Sequence, residues 1–394
     1  MASMNSVGEM ELIGPVEIGP VAHGGHCVAR YQGRVIFVRH TLPGETVMVQ
    51  PTDTSHDKFW RGDAVEIIDS SADRVSAPCP VSGPGLCGGC DFQHVSLLGQ
   101  RRLKTAVVAE QLHRLASIEW QGAVEEVSTP ETPDGLHWRT RMRYHVNSEG
   151  KVGLHAHRTH KVIPIPDDGC PIASPKTVDV TIKTFPPGSE LITAPGVLLV
   201  NGEVVAGQPT VHEHAAGRDW ELEAAGFWQV HPAAADTLVD AVLDGLQPRE
   251  GERAFDLYSG VGLFTGVLAD SGCEVWSVEQ SKAAVRAAHR NLEDVADRVH
   301  LRVGRVERQL ARMPRRTDLV VLDPPRSGAG RAVMQAIVAR APRAIAYVAC
   351  DPAALARDLG TAAGLGYEPT SIRAFDLFPM SQHVECVAIL AARA

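Results

Sequence analysis

Between residues 9 and 70, short β-branched runs alternate with polar positions and are broken by Gly, Pro and Asp: ELIGPVEIG, GHCVARYQGRVIFVRHTLPGETVMVQ and RGDAVEIIDS. Alternating runs between such turn residues predict a small all-β barrel. The period then lengthens. VSLLGQRRLKTAVVAEQLHRLA, residues 95–116, predicts a helix with Arg101, Arg102 and Lys104 on its early turns. From residue 221 onward strand-like and helix-like stretches alternate. RAFDL leads through a glycine turn into LFTGVLA, CEVWSVE and TDLVVL are apolar runs, and AIAYVAC passes into DPAALARDL. That alternation predicts a doubly wound α/β sheet in residues 221–394. Residues 71–220 between them form a central region of mixed pattern.

The length of 394 residues allows two or three domains. No run is long and apolar enough to cross a bilayer, and MASMNSVGEMEL has no apolar leader core, so the expected location is cytoplasmic, without a membrane partner. A net charge of -9 argues against indiscriminate nucleic-acid binding and confines any basic surface to a patch. One is expected in HWRTRMRYHVNSEGKVGLHAHRTHK, residues 137–161. Arg139, Arg141 and Arg143 alternate there with aromatic and apolar residues, which predicts strands offering single-stranded RNA a basic, stacking face. The alternative is an ordinary solvated sheet.

Four of the eight cysteines are scattered, and four form a ligand-like set. In APCPVSGPGLCGGCDFQH, Cys87 and Cys90 make a CxxC within glycines, Cys79 lies eight residues upstream, and Cys170 follows much later in GCPIA. Four thiolates suit zinc or an iron–sulfur cluster, and this spacing alone leaves both open, with free thiols a third reading. Cys350 stands between a hydrophobic run and Asp351-Pro352, the cap and first residue of a predicted helix. The helix dipole is expected to lower its pKa, whereas a buried structural cysteine would stay inert. Asp256, Glu279 and Asp323 also fall at the carboxyl ends of predicted strands, where such sheets bind ligands, and Gly260 and Gly262 let a ligand approach the backbone.

The pieces CGGCDFQH, FWQV, DLYSGVGLF, LDPPRSG, YVACDPAALARDL and FDLFPMSQHVE, together with GHCVARYQGRVIFVRHTLPGE, resemble the RNA 5-methyluridine methyltransferases. The likeness is to the branch that carries a TRAM barrel and an iron–sulfur cluster, and it spans nearly the whole chain. It implies an N-terminal TRAM barrel binding RNA, in which Arg30, Arg34, Arg39, Lys58, Arg61, Phe37 and Trp60 would make the contact. It further implies a central α+β iron–sulfur domain at 71–220 and an S-adenosylmethionine-dependent methyltransferase domain at 221–394. Helix 95–116 would pack on the last of these. By resemblance, Cys350 is the nucleophile and Glu385 the general base. Gln229, Tyr258, Gly260, Gly262, Glu279 and Asp323 line the S-adenosylmethionine and uracil pocket, and Cys79, Cys87, Cys90 and Cys170 ligate a 4Fe–4S cluster. The architecture leans toward large-subunit ribosomal RNA, with transfer RNA as the alternative.

Two features depart from the family pattern. Cys79 and Cys87 are farther apart than usual, and Arg305 stands where an acidic or amide residue often meets adenine. The arginines of 302–316 are expected to make a basic helix. Three rival functions share parts of this sequence: an adenine amino-methyltransferase, a cytosine-5 methyltransferase, and a non-catalytic RNA-binding iron–sulfur protein. The first has no use for Cys350 and Glu385, product analysis separates the second, and the full complement of reactive groups argues against the third.

Overall fold

The computed structural model describes residues 11–393, so residues 9 and 10 of the expected barrel lie outside the described ones. The barrel is closed. Strands β1 (Ile13–Ala22), β2 (His26–Tyr31), β3 (Arg34–Arg39), β4 (Thr46–Asp53) and β5 (Phe59–Asp69) run in the order β1-β2-β3-β5-β4. Alternation turns Val16, Ile18, Ile36, Val38, Val47 and Val49 into one core.

Helix α1 (Leu97–Ala116) starts where Ser96 accepts the Gly99 N–H at 3.1 Å. It leaves the barrel and buries Val108 and Leu112 in the core of the C-terminal sheet. A short strand, β6 (Val124–Glu126), follows it to the edge of that sheet. The central region is a six-stranded sheet ordered β12-β11-β10-β7-β8-β9. Its strands are β7 (Met142–Val146), β8 (Val152–His155), β9 (Val162–Pro164), β10 (Glu190–Ala194), β11 (Val197–Val200) and β12 (Glu203–Ala206).

A hairpin, β13 (Thr210–Ala215) and β14 (Arg218–Glu223), precedes α2 (Ala234–Leu246). Trp220 and Leu222 of the hairpin are fully buried in the core of the C-terminal sheet. The large sheet is ordered β17-β16-β15-β18-β19-β21-β20-β6. In chain order it comprises β15 (Arg253–Leu257), α3 (Leu263–Asp270), β16 (Glu274–Glu279), α4 (Lys282–Asn291), β17 (Val299–Val303), α5 (Val306–Leu310), β18 (Leu319–Leu322), α6 (Arg331–Val338), β19 (Ala344–Ala349), α7 (Pro352–Ala363), β20 (Tyr367–Asp376) and β21 (Glu385–Ala392).

Helices cover both faces of this sheet, so its central strands are apolar throughout rather than alternating. In β19, Ala344, Ala346 and Val348 enter one core while Ile345, Tyr347 and Ala349 enter the other. Strands β15 to β19 are parallel and β21 is antiparallel to β19, with Cys386 opposite Ala349. That reversal brings the start of β21 beside the carboxyl end of β19. The expected basic helix over 302–316 is instead the end of β17, a turn and the five-residue α5, because Gly304 at φ +146° breaks the run. Among the described residues, no helix is long and apolar enough to cross a membrane.

Candidate active site

One cavity of about 810 Å³ opens at the carboxyl ends of the parallel strands. Gln229, Tyr258, Gly260, Glu279, Asp323, Cys350 and Glu385 all line it. Of the residues that the family resemblance placed in the pocket, Gly262 alone is absent from the wall. It caps α3 at φ +100°, and a Cβ there would stand 2.8 Å from Leu292 Cδ1.

The cavity has two ends. At the first, β15 runs into a turn in which Tyr258 adopts φ +67° and Gly260 φ +55°. The Glu279 carboxylate, at the end of β16, accepts the N–H groups of Gly260 at 3.1 Å and Ser281 at 2.6 Å. Asp256 is buried beneath this turn and does not line the cavity. It accepts the Thr265 hydroxyl at 2.6 Å, and Thr265 in turn meets Ser277 at 2.7 Å, which ties β15, α3 and β16 together. Burial pushes its pKa to about 7 against the hydrogen bonds from Thr265, with the charge of Glu279 a smaller upward contribution.

Three potentially reactive groups gather at the other end. Asp323 follows β18, and burial followed by the nearby Asp256 raises it to about 7. Glu385 opens β21, and burial with the neighbouring Asp323 raises it well above the usual carboxylate range, opposed by Arg326. Cys350 follows β19 and is half-buried. The expected drop in its pKa does not occur: burial first, then Glu385 and Asp323, push the thiol up to about 12, with only Arg326 as an opposing cation. A helix N-terminus is worth about 0.3–1 kcal/mol, less than a factor of ten in ionisation. Burial among carboxylates outweighs it. The cap residue Asp351 is held by Ala354 N–H at 2.8 Å and by His23 of the barrel's first hairpin at 3.1 Å.

Among the cavity residues to which sequence reasoning assigned no role are Arg326 and Phe378. Arg326 ends the DPPR run, so an arginine beside two rigid prolines was the available signal. Nothing local marks Phe378, which reaches the wall because its loop folds over the strand ends.

The three arginines expected to share an RNA face diverge. Arg139 precedes β7 and lines the cavity. Arg141 is buried and donates to Glu213 at 2.9 Å. Arg143 is exposed and bound to Glu190 at 2.8 Å. The alternation fails because β7 begins only at Met142, and Trp138 and Tyr144 are core residues rather than stacking surfaces.

Cys79, Cys87, Cys90 and Cys170 line one small pocket of about 20 Å³. Gln93 donates to Cys90 Sγ at 3.2 Å and accepts the Cys79 N–H at 2.9 Å, while the Gly89 N–H donates to Cys87 Sγ at 3.4 Å. Among the described residues, no three His, Cys, Asp or Glu side chains converge as they would on a single metal ion. Four thiols ring this pocket, and amide groups donate to two of the sulfurs, those of Cys87 and Cys90.

Residues 214–393 match the family model described as tRNA (Uracil-5-)-methyltransferase, and residues 14–65 match the TRAM domain. An uncharacterized RNA methyltransferase of Streptomyces avermitilis is 47% identical, with 95% of this chain and 97% of that protein covered. The chain belongs to the S-adenosylmethionine-dependent RNA uracil-5-methyltransferase family. An RNA methyltransferase of Bifidobacterium longum is 38% identical, with 95% of each chain covered. The crystal structure of Pyrococcus abyssi tRNA (uracil-54, C5)-methyltransferase in complex with S-adenosyl-L-homocysteine has a TM-score of 0.71 at 22% identity. It covers 96% of this chain and 99% of that one. At that identity the likeness supports the methyltransferase's fold alone.

Proposed function

We propose that this methyltransferase modifies C5 of a uridine in RNA through a covalent bond between Cys350 and C6 of the base. The observation that carries the reading is one cavity lined by a thiol, two perturbed carboxyls and a cation: Cys350, Asp323, Glu385 and Arg326. C5 of uracil is a weak nucleophile, and a thiolate added to C6 turns it into an enolate carbon. S-adenosylmethionine supplies the methyl group as a sulfonium, and the Tyr258–Gly262 turn with Glu279 and Gln229 would hold it. Glu385 then takes the C5 proton, and the electrons of that bond expel the Cys350 sulfur and restore the ring. A carboxyl with a raised pKa is a stronger base once ionised, which suits this step. Asp323 would orient the uracil edge, and Arg326 would favour both thiolate and enolate.

RNA is further supported by the barrel surface, where Arg34 lies 4.6 Å over the Trp60 ring and Arg61 4.7 Å over Phe59. We read the substrate as ribosomal RNA, on the combined barrel and four-cysteine architecture. Transfer RNA is the second reading, favoured by the description of the matching family model and by the name of the Pyrococcus enzyme. The four clustered cysteines would hold a 4Fe–4S cluster with a structural role, since methyl transfer consumes no electron.

The test is anaerobic incubation with labelled S-adenosylmethionine and separate unmodified ribosomal and transfer RNA pools, followed by nucleoside analysis and iron determination. Label in 5-methyluridine from ribosomal RNA is the expected result. Label only from transfer RNA would move the substrate, label in another nucleoside would discard the chemistry, and protein without iron in anaerobic preparations would remove the cluster.

A further inference from the structure

The loop at residues 377–384, between β20 and β21, carries Phe378 into the cavity wall and leads directly into Glu385. Its backbone is held by residues from far earlier in the chain. Met380 is buried at φ +67°, a conformation that a side chain disfavours unless its surroundings impose it. Its carbonyl accepts the N–H groups of both Asp91 and Phe92 at 2.9 Å. Its own N–H donates to Gln100 Oε1 at 2.8 Å, and its sulfur accepts from Gln100 Nε2 at 3.4 Å. The Gln382 N–H donates to the Asp91 carboxylate at 3.1 Å.

At the other end of the loop, Lys104 Nζ donates to Asp376 Oδ1 at 2.5 Å and to the Phe378 carbonyl at 3.0 Å. Lys104 has 0% side-chain exposure and forms an ion pair with Asp376 from the early turns of α1. Stability does not explain such a pair, because burying it costs nearly what the attraction returns. What it provides is a fixed direction, fastening α1 to the point where β20 ends. The loop also sets His383, whose Nε2 lies 3.2 Å from the Arg326 guanidinium in the cavity.

Building on the function proposed above, we infer that α1 and the turn after the cysteine cluster clamp this loop, and that Gln100 and Lys104 are positioning residues for Phe378, His383 and Glu385. The clamp touches the reactive end of the cavity. The cofactor end, formed by the Gly260 turn and Glu279, lies outside it.

The full chain carrying Gln100→Leu, and separately the pair Lys104→Met with Asp376→Leu, would be followed by hydrogen exchange, cofactor binding and single-turnover methylation. The pair leaves no lone buried charge, and the glutamine variant stands alone should the pair not fold. Amides of 377–384 should exchange about ten-fold faster or more, while those of β19 stay protected. The methylation rate should fall about a hundred-fold, and the S-adenosylmethionine dissociation constant should stay within about two-fold. Unchanged exchange in the loop, protection lost evenly along the chain, or a rate lost in step with cofactor affinity would each overturn the clamp. Wild-type protein that makes no 5-methyluridine would overturn the reaction instead, and exchange with cofactor binding would still decide the clamp.

Discussion

Replacing Glu385 with Gln should make the Cys350 thiol more reactive while abolishing turnover. The thiol is pushed from an ordinary 9.0 to about 12 by burial first, then by the charge of Glu385, then by that of Asp323. At pH 9, an ordinary thiol is about half ionised, whereas one near 12 is ionised about once in a thousand molecules. Glu385 ranks second behind burial, so its share of that deficit is smaller than that of burial. Removing its charge should therefore raise the thiolate population by about three- to thirty-fold. The assay is the second-order rate of iodoacetamide alkylation at pH 9, quantified by mass spectrometry on the peptide that contains Cys350. Alkylation that is unchanged or slower in Glu385→Gln would refute the electrostatic account of the site, because a glutamine occupies the same space without the charge.

Asp256 sits at about 7 instead of 3.8, so its burial costs nothing when both folded and unfolded chains are protonated and progressively more as pH rises toward 7. Asp256→Asn should therefore gain melting temperature relative to wild type between about pH 4 and 7, and a pH-independent gap would contradict this. Gly262→Ala forces a side chain to φ +100° and into Leu292. It should cost about 1–3 kcal/mol and weaken S-adenosylmethionine binding, and an unchanged melting curve would count against the strain at that turn. Lys104→Met alone leaves Asp376 buried without a partner and should cost about 3–5 kcal/mol, most of it recovered when Asp376→Leu is added. Equal chemical-denaturation midpoints for the single and paired variants would refute that reasoning.

Periodicity made the barrel, α1 and the parallel strands legible, because each buries a regular stripe or run that the sequence displays directly. The strand-end positions of Asp323 and Cys350 were legible for the same reason. Glu385 came from the family resemblance, and its place beside Cys350 follows from β21 running against β19. What sequence could not give depends on which distant segment covers which residue. The burial of Lys104 depends on Asp376 at the end of β20, and Arg141 read as an RNA contact until Glu213 of the hairpin met it. The Cys350 thiol was expected to be acidified because the helix dipole is visible locally. Burial first, then the charges of Glu385 and Asp323 brought in from other strands, reverse the sign.

The most direct test of the account uses RNA containing 5-fluorouridine, in which C5 carries no proton for Glu385 to remove. With S-adenosylmethionine present, the account predicts a denaturation-stable RNA–protein adduct that carries the transferred methyl group and maps to Cys350. Absence of an adduct under conditions where ordinary RNA is methylated, or an adduct at another residue, would contradict it.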